Sequence, residues 1–261
     1  MTNFNQDVTM KSLFKFHNKL GFWKILRGVE YFRYFEWIFA LHQINFHENS
    51  KILDLGSGAE SILPNFISNM GGLVCAVDLN TEIKNQKQIS NKLHFSNQRN
   101  SAGKLWLNQQ DATKLAFKNN SFDYITAISV LEHFAKDGDI QAMNEIYRVL
   151  VPGGKLIITL PYNRNSFEEF DKTRLVNYFE RVYDEAALVS RITDNSRFNL
   201  LKKVYFGEIP FSFFNWWLKI PGHLRILIGW LLLLAASFFI RETEPEKACG
   251  VAIILEKVMN E

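Results

Sequence analysis

Cysteine is almost missing from the 261 residues, which hold only Cys75 and Cys249. Two thiols cannot build a disulfide framework, and no Cys/His spacing matches a zinc site, so a reducing, cytoplasmic setting and no bound metal are expected. Charge of one sign is lacking too: the net charge of +3 is too small to argue for nucleic acid as a partner. No apolar run reaches the roughly 20 residues of a membrane-spanning helix. The nearest, 226–240, has 15 residues without a charge. The N-terminus lacks the unbroken apolar core of a secretory signal, because Lys11, Lys15, Lys19, Lys24, Arg27 and Arg33 interrupt it. Internal repeats and low-complexity linkers are also missing, which leaves one large domain with elaborations.

Aromatic residues are what the chain has in excess. Phe occurs 23 times, and residues 1–46 hold 12 of the 37 Phe, Tyr and Trp. Residues 11–46 read as one or two amphipathic helices broken near Gly21 or Gly28, forming an N-terminal helical cap over 1–48. From residue 49 to 261 short apolar runs alternate with helical patterns. Strands are expected at 51–55, 72–78, 105–108, 121–128, 155–160, 199–207 and 250–258. Helices are expected at 60–70, where Pro64 forces a late start or a bend, and at 81–95, 139–150 and 184–192. The turn signal Pro152-Gly153-Gly154 precedes the fifth strand. This alternation predicts an α/β fold: a Rossmann-like, seven-stranded, mostly parallel sheet with helices on both faces. Between the last two strands lies an apolar helical insertion, 208–247, expected to act as a lid.

Several short segments carry chemistry. Asp54-Leu55-Gly56-Ser57-Gly58 follows the first strand, where glycines let the backbone turn tightly and approach a ligand. The same turn without a ligand would read alike. Asp78 ends the second strand, 20 residues after Gly58; there a carboxylate can bind two ribose hydroxyls, or merely cap a helix. Asp111 and Ala112 follow the third strand, placed either to meet an adenine edge or to start a capped helix. Ser129-Val130-Leu131-Glu132-His133 follows the fourth strand on the edge where open α/β sheets bind ligands.

The ordered set ILDLGSG (52–58), AVDLN (76–80), QQDA (109–112), FDYITAISVLEHF (122–134) and EIYRVLVPGGKLIITLP (145–161) resembles the class I S-adenosylmethionine-dependent methyltransferases of the small-molecule type. The resemblance covers about residues 50–162. It implies S-adenosylmethionine as cofactor, with Asp54, Gly56 and Gly58 at its methionine part and Asp78 at its ribose. Leu79 joins the cofactor-binding set, Asp111 and Ala112 would meet the adenine, and Ser129 and Val130 would line the floor beside the sulfonium methyl. One departure is Glu60, which stands where the family often has a third glycine.

Methyl transfer from a sulfonium is an in-line displacement that needs no metal and no covalent enzyme intermediate. A base is required only if the acceptor keeps its proton, and His133 is the best-placed candidate, against a purely structural role. Tyr162, Asn163 and Asp171 follow the fifth strand and could touch the acceptor. Phe211, Phe213, Phe214, Trp216, Trp217 and Trp230 make the insertion either an acceptor pocket or an interfacial membrane contact. The expected acceptor is small or lipid-like, with a peripheral position on the inner membrane surface as an option. Nothing in the sequence selects an oligomeric state. Two rivals stand beside this reading: a weakly active methyltransferase-like scaffold, and a nicotinamide-dependent oxidoreductase, whose fingerprint would want glycine at Ser61.

Overall fold

The computed structural model describes residues 8–19, 32–45, 49–58, 62–81, 83, 103–171, 178–194, 197–208 and 239–259. Two N-terminal helices open it, α1 (Met10–Asn18) and α2 (Arg33–Gln43). Thr9 and Ser12 start α1 with a reciprocal capping box, each side chain accepting from the other's backbone N–H at 3.1 and 2.9 Å. A buried hydrogen bond of 2.8 Å between His17 Nδ1 and the Tyr34 hydroxyl ties the two helices together.

The sheet is built from β1 (Lys51–Leu55), β2 (Leu73–Asp78), β3 (Lys104–Gln109), β4 (Phe122–Ile128), β5 (Leu150–Pro161), β8 (Phe198–Glu208), β9 (Ile240–Glu242) and β10 (Gly250–Lys257). Their order is β3-β2-β1-β4-β5-β10-β8-β9, and the first five run parallel. β10 lies antiparallel between β5 and β8, so β8 again points the same way as β1. The chain winds outward in both directions from the β1/β4 boundary. That boundary is the switch point where open α/β sheets leave a crevice at their carboxyl edge.

Alternation along the strands builds two core layers. In β10, Ala252 and Ile254 face the layer of α1, α2 and α3 (Ile62–Asn69), with Leu41, Ile44 and Ile67. Val251, Ile253 and Leu255 face the layer of α4 (Gly138–Val149) and α5 (Glu185–Leu188), with Met143, Ile146 and Leu188. Helices on both faces are thus present. Pro64 sits in the first turn of α3, where the backbone N–H has no intrahelical partner to lose.

Four features differ from the sequence-based expectation. The sheet has eight strands rather than seven, because Ile240–Glu242 adds an antiparallel edge to β8. β5 starts at Leu150 instead of 155: Phe122 pairs with Leu150 and Tyr124 with Lys155, so Pro152-Gly153-Gly154 bulges within the strand, with Gly153 at φ +74°. A hairpin of β6 (Phe167–Asp171) and β7 (Tyr178–Val182) follows β5, a region with no Asn-Gly signal to announce it. Where one helix was expected at 184–192, α5 gives way to a π-helical turn, Val189–Thr193. The helix expected at 81–95 falls almost wholly outside the described residues, as do Gly21, Gly28, Glu60, Ser61 and 209–238 of the insertion. Among the described residues no helix is long and apolar enough to cross a membrane.

Candidate active site

The turn after β1 depends on glycine at two points. Gly56 adopts φ +67° and Gly58 φ +61°, in the left-handed region that side chains rarely occupy. A Cβ on Gly56 would also lie 2.2 Å from Val130 Cγ2, so the turn and the segment after β4 close directly on each other. At Gly58 a Cβ would meet none of the described residues within 4 Å, room that a ligand laid against the backbone would need.

Asp54 lies beneath this turn and is buried. Its Oδ2 accepts from Ser57 Oγ at 2.6 Å and its Oδ1 from Thr126 Oγ1 at 2.6 Å, so it staples the turn to β4. Burial pushes its carboxyl up to about 6, against the two hydroxyl donors, with Asp78 adding to the rise. Asp54 thus shapes the glycine turn from below, a role the sequence does not separate from direct ligand contact.

Asp78 ends β2 beside that turn. Its Oδ2 accepts from Gly58 N at 2.7 Å and its Oδ1 from Asn80 N at 2.8 Å. Each oxygen keeps a second lone pair, so two hydroxyl donors can still be accepted. The neighbouring Leu79 leaves 68% of its surface exposed, an apolar side chain that a planar ring could cover. Beyond β3, Asp111 Oδ1 accepts from Thr113 N at 2.8 Å and from Thr113 Oγ1 at 2.7 Å, which orients its carboxylate, and Ala112 is buried beside it.

The segment after β4 supplies the opposite wall. Ser129 is held at φ +47°, a strained conformation for a residue with a side chain. Neighbouring groups fix it there: its N–H donates to Thr159 O at 3.1 Å and its hydroxyl to Glu36 Oε1 at 2.7 Å. Val130 is partly buried against the core. His133 then donates its backbone N–H to Val130 O at 3.1 Å, and its Nδ1 donates to the Phe179 carbonyl at 3.0 Å. A carbonyl only accepts, so Nδ1 carries the proton in this bond.

Several residues of this site have no motif. Glu36, buried in α2, takes Arg33 Nη1 at 2.9 Å and the Ser129 hydroxyl, and so docks the N-terminal layer on the β4 edge. An acid three residues after an arginine inside an aromatic helix was the available sign. Asp139, fully buried at the start of α4, accepts from Arg181 at 2.7 Å, from Tyr183 at 2.9 Å and from Arg191 at 2.7 and 2.8 Å. It anchors the hairpin that carries Phe179. Tyr162 is buried and reaches Tyr205 with ring centroids 4.8 Å apart, while Asn163 is exposed. Among the described residues no group of three or more His, Cys, Asp or Glu could hold a metal ion.

Residues 53–158 match the family model described as "Methyltransferase domain". A demethylmenaquinone methyltransferase of Lactiplantibacillus plantarum is 32% identical over 122 residues, covering 45% of this chain and 48% of that protein. A mouse protein named as a probable tRNA methyltransferase 9B is 34% identical over 87 residues, covering 33% of this chain and 18% of its own length. The chain therefore spans less than half the length of these curated relatives. A crystal structure of a SAM-dependent methyltransferase from Methanosarcina mazei shares the fold, with a TM-score of 0.57 at 20% identity over 82% of this chain and 95% of that one. The matched stretch runs from β1 through β5 and contains the glycine turn, Asp78, Asp111 and Ser129. On these grounds residues 53–158 match a methyltransferase domain, and the chain shares the fold of a SAM-dependent methyltransferase.

Proposed function

We propose that this protein transfers a methyl group from S-adenosylmethionine to a small or lipid-like apolar acceptor by direct in-line displacement. The observation that carries the reading is the closure of Gly56 on Val130, with Asp78 bonded to Gly58 beside it. When bound, the cofactor supplies a strongly electrophilic methyl, so alignment at roughly 3–3.5 Å is the main requirement on the protein. Gly56 and Gly58 would line its methionine end above Asp54. Asp78 would accept the two ribose hydroxyls, Leu79 would cover the adenine ring, and Asp111 and Ala112 would meet its edge. Ser129 and Val130 would form the floor that faces the acceptor. His133 would accept the acceptor's proton at Nε2 where the acceptor carries one, because Nδ1 is committed to Phe179.

The acceptor assignment draws on the aromatic N-terminal residues, on the apolar stretch 209–238 and on the relative named for demethylmenaquinone. The relative named for tRNA supports a second reading, an RNA acceptor, against which the net charge of +3 stands. In domain terms, 1–48 would cap the site, and 49–261 would form the catalytic domain with 208–247 as its lid. Calorimetry should show binding of S-adenosylmethionine or its demethylated product. Asp78→Ala should weaken that binding by about 1.5–3 kcal/mol, the range for hydrogen bonds to a charged group, with the fold intact. No binding of either ligand at millimolar concentration would remove the proposal.

A further inference from the structure

Glu132 lies one residue before His133, yet its side chain turns inward and is only 4% exposed. Its Oε2 is buried with no hydrogen-bond partner among the described residues, and its Oε1 stands 3.9 Å from His133 Nε2, beyond hydrogen-bond reach. The groups that act on it from the neighbouring elements are Arg33 and Glu36 of α2, Glu180 of β7 and Tyr183 just after β7. The cation among them is Arg33, which already donates to Glu36 at 2.9 Å.

The charges do not close if Glu132 is ionised. It would be a second buried anion sharing one guanidinium with Glu36, with one oxygen lacking any donor, and each of these is costly away from water. A neutral carboxylic acid removes both costs. Burial is the largest influence and pushes the Glu132 carboxyl well above the ordinary carboxylate range, against the pull of Arg33 and with the push of Glu36 and Glu180.

We propose that Glu132 is a positioning residue for the base: it stays protonated at neutral pH and so keeps the His133 imidazole uncharged until the acceptor delivers its proton. This rests on His133 acting as the base. In the step, the acceptor's proton passes to His133 Nε2 as the acceptor gains the methyl group. The electron pair of the broken carbon–sulfur bond stays on sulfur, and Glu132 keeps its own proton throughout. The imidazolium then gives its proton to solvent, which reaches a ring whose side chain is 36% exposed. An ionised Glu132 at the same distance would instead hold a proton on His133 before the acceptor arrives, and no base would be left.

The test uses the full chain with bound S-adenosylhomocysteine, near neutral pH. Infrared spectra should show a protonated-carboxyl band that disappears in Glu132→Gln. The titration midpoint of the His133 ring, followed by NMR, should be the same in wild type and in Glu132→Gln, because the amide replaces one neutral group with another. Absence of the band, or a His133 midpoint that falls by a unit or more in Glu132→Gln, would overturn the proposal. His133→Ala separates the two layers: turnover undiminished there brings down the base assignment itself, and with it any use for a neutral Glu132. A loss of about 100-fold or more supports it.

Discussion

Asp54 staples the glycine turn to β4 and, in the proposed function, would also face the ligand. Its folded-state titration lies near 6 against an ordinary value of 3.8, mainly through burial. A raised carboxyl favours the folded state at low pH. Its contribution is complete below 3.8 and is lost as pH rises through about 6. Binding of a cationic amino-acid moiety above it has the opposite sign, since only the ionised form attracts the ligand. Cofactor affinity should therefore fall as pH drops below about 6, and Asp54→Asn should remove that limb while lowering affinity at pH 7. Calorimetric titrations from pH 5 to 8 check this; a limb unchanged in the variant would place the titrating group elsewhere. The Asp-Leu-Gly-Ser-Gly string predicted a ligand turn, but it could not show that Thr126, 72 residues away, completes the carboxylate's hydrogen bonds.

At the scale of elements, the hairpin of β6 and β7 has its own anchor. Burial alone would raise Asp139, yet Arg191, Arg181 and Tyr183 together hold its carboxyl below the ordinary range. Arg181 also reaches Glu168 at 2.8 Å and Lys136 O at 2.8 Å, so β6, β7 and the approach to α4 meet on one guanidinium. The second arginine of the hub, Arg191, comes from the π-helical turn, a rare geometry often kept for a specific side-chain placement. A lowered carboxyl contributes stability above its unfolded titration, lost as pH falls through the folded one. Replacing it with Asp139→Asn leaves the buried Arg181 and the partly exposed Arg191 short of their counter-charge, and breaking a buried pair typically costs about 3–5 kcal/mol. Hydrogen exchange should show β7 opening more readily in this variant and the His133–Phe179 bond weakening with it. Cofactor affinity should hold, because the glycine turn and Asp78 lie on other strands. Equal loss of protection in β1 and β7 would mean global destabilisation instead. Nothing local in 167–182 announces this hairpin, since its support comes from α4 and the turn after α5.

For the whole molecule, strand direction decides where the apolar insertion begins. β10 runs antiparallel to both β5 and β8, so β8 ends on the same edge as β1 and β4. The chain beyond Glu208 consequently starts from the edge that carries Gly56, Asp78 and Ser129. A membrane contact by this segment would be interfacial, since its 15-residue charge-free run is shorter than a bilayer requires. Large apolar side chains contribute about 1.5–3 kcal/mol each when fully buried, so a few suffice for reversible attachment. Anionic liposomes should carry the protein upward in flotation, and Trp216→Ser with Trp217→Ser should reduce this. If neither protein floats, the insertion serves as a lid and the membrane contact is excluded.

Much of the architecture was legible because it is written in short-range chemistry. Apolar runs of strand length, the glycine pairs after them and the acid 20 residues on require only near neighbours to be read, and they gave the parallel sheet and its carboxyl edge. What only the tertiary structure decided depends on groups far apart in the chain. Glu36 meets Ser129 across 93 residues, Asp139 collects arginines 42 and 52 residues away, and Val130 closes over Gly56. The state of Glu132 belongs to the same kind. In the sequence it is simply an acid beside a histidine. Burial among Glu36, Glu180 and Arg33 is what would keep it neutral, because the cost of a charge depends on the medium around it and not on its neighbours in the chain.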